Sequence, residues 1–302
     1  MDGKVVVSVC VFTYNYEKYL KQALDSIILQ KTNFRVEIII GDDCSTDSTR
    51  EIAKKYFAEY PERIVLSFNE RNIGGTKNWI STIGKSTGRY IALLDGDDYF
   101  SDAHKLQKQV DLMESDAKSV LSFHAIEEKF DDITGEDRIV RFEKPIYNLE
   151  DFLSRGWFIR TGSTMFKNGL MPNPIPEWVF DFPYRFDTIL HVFLALKGHA
   201  LYIDEVMSVW RKHQKGVSRQ LMADGVKNIL AEISLAKRLN KFTNGKEERA
   251  VKEFCSRQYS SLLFYLFRNR LWKKHIRLLP TILLNSDWKE IAKRLNTRTK
   301  NG

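Results

Sequence analysis

Two short carboxylate clusters stand out for the chemistry they could do. Asp95-Gly96-Asp97-Asp98 packs three carboxylates into four residues, and Asp42-Asp43 is followed by Ser45, Thr46 and Asp47. Like charges this close repel one another, which is costly unless a cation compensates. Hard oxygen donors around one glycine suit Mg2+ or Mn2+ held jointly with the phosphates of a substrate. The competing structural reading is that acidic residues after strands cap the helices that follow. One cluster alone does not decide between these. Two clusters, with Thr13-Tyr14-Asn15 at a third strand end, favour a site. The chain contains no GxxxxGK[ST] phosphate loop and no GxGxxG after its first apolar run, so neither a P-loop nor a dinucleotide fold is supported.

These residues must be brought together by the elements that carry them. Residues 4–12 (KVVVSVCVF), 34–41 (FRVEIIIG), 63–68 and 89–94 (RYIALL) are short apolar runs, the mark of strands covered on both faces. Between them lie helical spacings: Tyr19, Leu20, Ala23, Leu24, Ile27 and Ile28 within 16–30, then Ile52, Ala53, Tyr56 and Phe57 after a Ser48-Thr49-Arg50-Glu51 capping box. A short helix over 77–85 follows the turn Asn72-Ile73-Gly74-Gly75, with Gly88 as its C′ glycine. Strands that alternate with helices predict an α/β fold with a mostly parallel sheet and right-handed crossovers. In such sheets ligands bind beyond the carboxyl ends of the strands, which is where the polar clusters fall. Beyond Asp98 the pattern predicts a helix over 102–115, a hairpin of 119–129 with 137–142, and a short helix over 148–156. A proline-marked irregular stretch at 172–183, a helix over 184–197 and a final strand over 200–210 complete it. From Gln220 only helical patterns remain.

The ordered set SVCVFTYNYEKYL, IIIGDDCSTDST, NERNIGGTKN and YIALLDGDDYF resembles the successive motifs of the family 2 inverting glycosyltransferases, over roughly residues 5–215. The resemblance implies the GT-A fold, a nucleotide-sugar donor and a divalent cation, Mn2+ or Mg2+. It places Asp43 where the family reads the nucleotide base, with Phe12, Tyr14, Asn15 and Asp42 beside it and Lys77 where the family often has an Arg. It places Asp95 on the ribose and Asp97 on the metal, with Asp98 beside them towards the sugar. The general base maps to Asp187 in Tyr184-Arg185-Phe186-Asp187-Thr188, although Phe186 and Thr188 depart from the usual pattern. Asp181 is the rival, and helix capping the alternative role. Val209-Trp210-Arg211-Lys212-His213, running on to Ser218, resembles the family's Tyr-Arg-x-His segment. This implies His213 at the diphosphate or metal and Arg211 beside it. Gly162 and Ser163, with Thr164 and Met165, fall where the family lines its sugar pocket. Trp157 and Trp178 are candidates to stack on a sugar face, core packing being the other reading.

Charge separates the chain into two parts. Of 47 basic and 39 acidic residues, 15 basic and 5 acidic fall after residue 240, leaving 32 and 34 before it. The body is slightly acidic, which argues against a general nucleic-acid partner. In the tail, Arg270, Lys273, Lys274 and Arg277 form one helical stripe among Leu271, Trp272, Ile276, Leu278 and Leu279, extended by Lys289, Lys293 and Arg294. Such a stripe fits a solvated helix face, a homodimer contact, or an interfacial helix on anionic lipid. Cys10, Cys44 and Cys255 form neither a disulfide framework nor a metal spacing. The N-terminus lacks a signal-peptide pattern, and the longest uncharged apolar run, 259–267, is too short to span a membrane. The expectation is a cytoplasmic protein, peripheral on the inner face of the cell membrane. It has a catalytic GT-A domain over 1–218 and a basic helical extension over 219–302. The expected activity moves a sugar from a nucleotide sugar, UDP favoured over GDP or dTDP, to a saccharide or lipid-linked saccharide. A nucleotide-sugar-forming nucleotidyltransferase would want a glycine-rich phosphate loop, which is missing. A non-enzymatic membrane-surface binding protein would leave the carboxylates unexplained.

Overall fold

The structure, a computed structural model, describes residues 4–216, 224–289 and 291–292. The described residues fall into two compact units. The first takes those within 1–148 and 157–216. The second takes those within 149–156 and 217–302, so the short helix after residue 148 belongs with the tail although the sequence places it inside the first domain. The expected boundary at 218/219 lies outside the described residues, as do Val217, Ser218, Lys293 and Arg294.

The first unit begins β1 (Val5–Thr13), α1 (Leu20–Ile28), β2 (Arg35–Asp42), α2 (Thr49–Glu59), β3 (Ile64–Phe68), α3 (Gly75–Ile83), β4 (Tyr90–Asp95) and β5 (Tyr99–Phe100). It continues with α4 (Lys105–Ser115), β6 (Ser119–Phe130), β7 (Arg138–Val140) and β8 (Ile146–Tyr147). After α5 (Leu149–Arg155) of the second unit come β9 (Met165–Lys167), α6 (Phe186–Ala195) and β10 (His199–Lys212). The second unit is completed by α7 (Gly225–Phe242), α8 (Glu248–Arg268) and α9 (Leu279–Asn285).

Among the described residues the strands form one sheet in the order β3-β2-β1-β4-β9-β6-β10-β5, with β7 on β6 and β8 on β10. The β3-β2-β1-β4 half is parallel, as is β6 with β10, while β9 joins the halves antiparallel to both neighbours. The sheet is therefore mixed but mostly parallel, with helices packed against it. Val7, Val9 and Val11 of β1 and Ile38 and Ile40 of β2 are buried in one core with Leu20, Leu24 and Ile27 of α1. Each such side chain contributes about 1.5–3 kcal/mol on burial.

Two local expectations are corrected. Ser48 makes no side-chain cap on α2; Asp47 Oδ1 accepts from Thr49 N at 3.0 Å instead, and Glu17 accepts from Ser48 N at 2.9 Å. Gly88 is not a C′ residue, since α3 stops at Ile83; a Cβ on Gly88 would lie 2.7 Å from Ser8 N, so the glycine permits a close approach to β1. The strand β9 carries no signal in its three residues.

In the second unit α5 packs on α8, where Arg257 donates to the Ser154 carbonyl. Asp224 caps α7 by accepting from Lys227 N at 3.0 Å. No helix among the described residues is long and apolar enough to cross a membrane.

Candidate active site

The strand register sets the level of the candidate site. Thr13 pairs with Asp42 and Phe12 with Asp95, so the carboxyl ends of β1, β2 and β4 open side by side. Gly96 turns the chain closely over β1, its N–H donating to Phe12 O at 2.7 Å. A Cβ at Gly96 would sit 3.1 Å from that oxygen.

β10 brings the far end of the first unit to the same place. Arg211 N donates to Asp98 Oδ1 at 2.8 Å, and its guanidinium donates to Asp97 O at 2.6 Å and to Gln22. The guanidinium lies between Tyr99 and Tyr19, 4.6 and 5.1 Å from their ring centroids. Two residues on, His213 Nε2 is 2.9 Å from Asp97 Oδ2, with the Tyr19 ring tilted against its imidazole. The Tyr16 hydroxyl bonds to the same carboxylate. Burial first, and the charge of Asp97 next, push the Tyr16 hydroxyl well above its usual range.

The remaining carboxylates crowd this pair. Burial, then the charge of Asp97, raises the Asp95 carboxyl well above its usual range, against a hydrogen bond from Thr161. The same two causes raise Asp98. Asp187 sits half-buried in the first turn of α6, close enough for its charge to act on Asp95. Burial raises its carboxyl, while Thr188 N, the Trp157 indole, Arg185 and Arg160 pull it back. A half-buried carboxylate with a raised pKa binds a proton more strongly, as a general base should.

A divalent cation fits one corner of this cluster. Among the described residues no three His, Cys, Asp or Glu side chains form a metal site by themselves. Asp97 and His213 offer two donors 2.9 Å apart. Neighbouring ligands on an octahedral ion with bonds of about 2.1 Å lie about 3 Å apart, and such ions keep their other positions for phosphate and water.

Several residues expected to face a ligand are engaged in contacts within the protein. Asp42 is fully buried, and its oxygens accept from Ser45 N at 3.0 Å, Ser45 Oγ and Arg50 Nε, so it builds the loop. Phe12 is buried and stacks on Trp79 at 4.1 Å, flooring the strand ends. Asn15 braces the β2 loop by accepting from Thr46 N at 2.8 Å. Both oxygens of Asp43 accept from the 69–74 turn, from Asn69, Ile73 and Gly74. Asp98 and Arg211 lock β10 to the acidic turn rather than facing outward. Ser163 is buried, donating to Arg160 O and accepting from Gln109, and Gly162 is buried beside it. Trp178 packs on Phe182 and Phe193. Tyr14 and Lys77 are exposed at the rim, and Asp181 lies on the surface. The sequence reading gave no role to Tyr16, Thr161, Trp79, Glu128 or Arg160, although Tyr16 lies within the quoted SVCVFTYNYEKYL; Trp210 likewise lay inside a quoted motif without a role.

The family model described as "Glycosyl transferase family 2" matches residues 8–170, more than half of the chain. The chain belongs to glycosyl transferase family 2. Other proteins resemble it at several levels. An uncharacterized protein of Mycobacterium tuberculosis is 32% identical over 219 residues, which cover 72% of this chain and 62% of that protein. The match thus spans under two thirds of that relative's length. TuaG, a Bacillus subtilis glycosyltransferase ascribed to teichuronic acid biosynthesis, is 37% identical over 112 residues, 37% of this chain and 43% of that protein. Residues 1–349 of S. aureus TarS, solved in complex with UDP-GlcNAc, share the fold with a TM-score of 0.64 at 19% identity. That match covers 85% of this chain and 73% of the TarS chain. The fold is that of the GT-A glycosyltransferases.

Proposed function

We propose that this family 2 member is a metal-dependent, inverting glycosyltransferase that moves a sugar from a nucleotide sugar to a hydroxyl of a saccharide or lipid-linked saccharide. The observation that carries the reading is the convergence of the Asp97–His213 pair, Asp95 and the half-buried Asp187 at one end of the sheet. UDP is the favoured nucleotide, in keeping with Asp43 at the base-reading position and with the UDP-GlcNAc bound to TarS. Inversion follows from one in-line displacement, in which the acceptor oxygen enters opposite the leaving diphosphate. Asp187 takes the acceptor proton, and its raised affinity for that proton makes it the stronger base. Thr188 N donates to Asp187 Oδ1 at 2.7 Å and holds the carboxylate in place, with the Trp157 indole beside it. Asp97 and His213 would hold a divalent cation, Mn2+ or Mg2+, which when bound would supply positive charge against the departing diphosphate. The charges of both Asp97 and Asp187 act on Asp95, the residue read here as the ribose contact. The acceptor class is supported by the ascription of TuaG to an envelope polysaccharide.

The C-terminal unit is read as a peripheral anchor on the inner face of the membrane. Exposed Phe267, Ile276, Leu284 and Trp288 lie among Arg270, Lys273, Lys274 and Arg277, a mixture suited to an anionic lipid surface.

A thermal-shift panel of UDP, GDP, dTDP and CMP, each with and without Mn2+, tests the donor reading, since a ligand bound only by the native state raises the Tm. Wild type should show a UDP shift that grows with Mn2+, and Asp97→Ala should lose the Mn2+-dependent part. Asp187→Asn should keep the full shift and lose sugar transfer by about 10²–10⁴-fold. Retained turnover in Asp187→Asn rejects the base. A Tm indifferent to every nucleotide rejects the donor class.

A further inference from the structure

Glu128 of β6 is fully buried, and three cations converge on it. Arg138 Nε approaches at 2.7 Å, Arg160 at 2.9 Å and Lys212 Nζ at 3.1 Å. Burial alone would push its carboxyl up, yet the three cations together hold it below the usual range. A buried carboxylate is costly unless paired, so its partners are firmly held. Arg160 is the partner drawn furthest inward, its side chain 13% exposed against 63% for Arg138. Its guanidinium lies 4.1 Å from the Trp157 ring centroid and 4.5 Å from that of Trp210, and the two indoles meet edge-on at 5.5 Å. A planar guanidinium stacks on aromatic faces while its edge serves a carboxylate, a combination lysine cannot reproduce. The Trp157 indole in turn lies close enough to the Asp187 carboxylate to pull its pKa down. An unbroken set of contacts thus runs from β6 through the 157–163 loop to the first turn of α6.

We propose that Arg160, locked by Glu128 between Trp157 and Trp210, is the positioning residue that aims the Asp187 carboxylate. As a statement about catalysis this rests on Asp187 being the base; as a statement about geometry it does not. The charged groups facing Asp187 are Asp95 from the end of β4, Arg185 from the residue before α6, and Arg160. Arg160 alone of these is tied to Asp187 through a shared aromatic contact.

The test needs no turnover. The full chain is labelled with 15N at its six tryptophans, and the Trp157 indole resonance is assigned from Trp157→Phe. Its shift is followed against pH. In wild type the resonance should titrate with Asp187, and Asp187→Asn should abolish that titration. Arg160→Met removes a positive charge beside the carboxylate, so the midpoint should rise by about one pH unit. Glu128→Gln discriminates between mechanisms. Loss of a negative charge by itself would lower the midpoint, whereas release of Arg160 from its slot raises it. Arg160→Lys, which keeps the charge and the fold, should still move the indole resonance because the stack is lost. An unmoved midpoint in Arg160→Met, a lowered one in Glu128→Gln, an unmoved resonance in Arg160→Lys or a titration surviving Asp187→Asn each overturns the assignment. The nucleotide panel above is read separately on the same variants. Its failure would remove the transferase reading while the indole titration still decides the role of Arg160.

Discussion

Lys105 is fully enclosed at the start of α4, its Nζ donating to Gln109 Oε1 at 2.7 Å and lying 4.1 Å from the Phe100 ring centroid. Burial lowers its pKa to about 7. In the unfolded chain a lysine titrates near 10.4. Between these values the unfolded state binds the extra proton, so stability rises with pH across that window. Lys105→Met should therefore stabilise the first unit at pH 7 by about 2 kcal/mol, after the lost Gln109 bond is subtracted, and its advantage should shrink towards pH 9.5. Urea midpoints of the two proteins from pH 7 to 9.5 check this, and a gap independent of pH refutes it. Legibility at this scale follows hydrogen bonding. Asp97 and His213 could be named from the sequence because each falls in a motif and keeps its side chain at the candidate site. Asp42 and Asp98 fall in the same motifs, yet their oxygens are taken by Arg50, eight residues on, and by Arg211 N, more than a hundred residues on. Arg160 escaped notice because its partner Glu128 lies in a stretch that reads only as strand.

Among elements, the contact of β2 with α3 holds the second strand end in place, and it depends on Gly41. Asn78 Nδ2 donates to Gly41 O at 3.0 Å, and Thr82 Oγ1 donates to Asn78 O at 2.7 Å. A Cβ at Gly41 would fall 1.8 Å from Thr82 Oγ1 and 2.9 Å from Thr82 Cβ. Gly41→Ala should cost about 2–3 kcal/mol through overpacking. Because the clash is with one side chain, Thr82→Ala in the same chain should recover part of that loss. Denaturant midpoints of both single variants and the double variant check this, and strictly additive losses would place the strain elsewhere. The four parallel strands were readable because each is a continuous apolar run. Sheet order beyond them was not. β9 has three residues and no period to detect, and the β6–β10 pairing spans about seventy residues of chain. Helix starts moved for a local reason: α4 begins at Lys105 rather than at 102 because Asp102 accepts from His104 N at 2.7 Å.

Across the whole molecule, charge and fold divide the chain at nearly the same place, since the surplus of ten basic over acidic residues lies after residue 240. If the second unit is the anchor, reversing Arg270, Lys273, Lys274 and Arg277 to Glu should abolish sedimentation with anionic liposomes. Wild-type binding should weaken with added salt, at about 1 kcal/mol per lost cation. Equal sedimentation of the two proteins would reject the anchor. Sequence disclosed the charge of this part and much of its helical character, because both are local properties. The helical stripe expected of Arg270, Lys273, Lys274 and Arg277 does not form, however: α8 ends at Arg268, Arg270 takes a positive φ, the next residues are turns, and Arg277 sits in a single 3-10 turn. The grouping of α5 with α8 was invisible, being a contact between segments about a hundred residues apart. The long parallel pairing of β6 with β10 has a further consequence, during synthesis. A chain emerging N-terminus first completes β6 long before residues 199–212 leave the ribosome. Throughout that interval one edge of a twelve-residue strand, half of it apolar, offers its backbone to any other chain nearby. A message truncated before the last strand therefore yields more than an inactive product. It yields an adhesive one, and cells making this protein would be expected to meet that nascent edge with a chaperone.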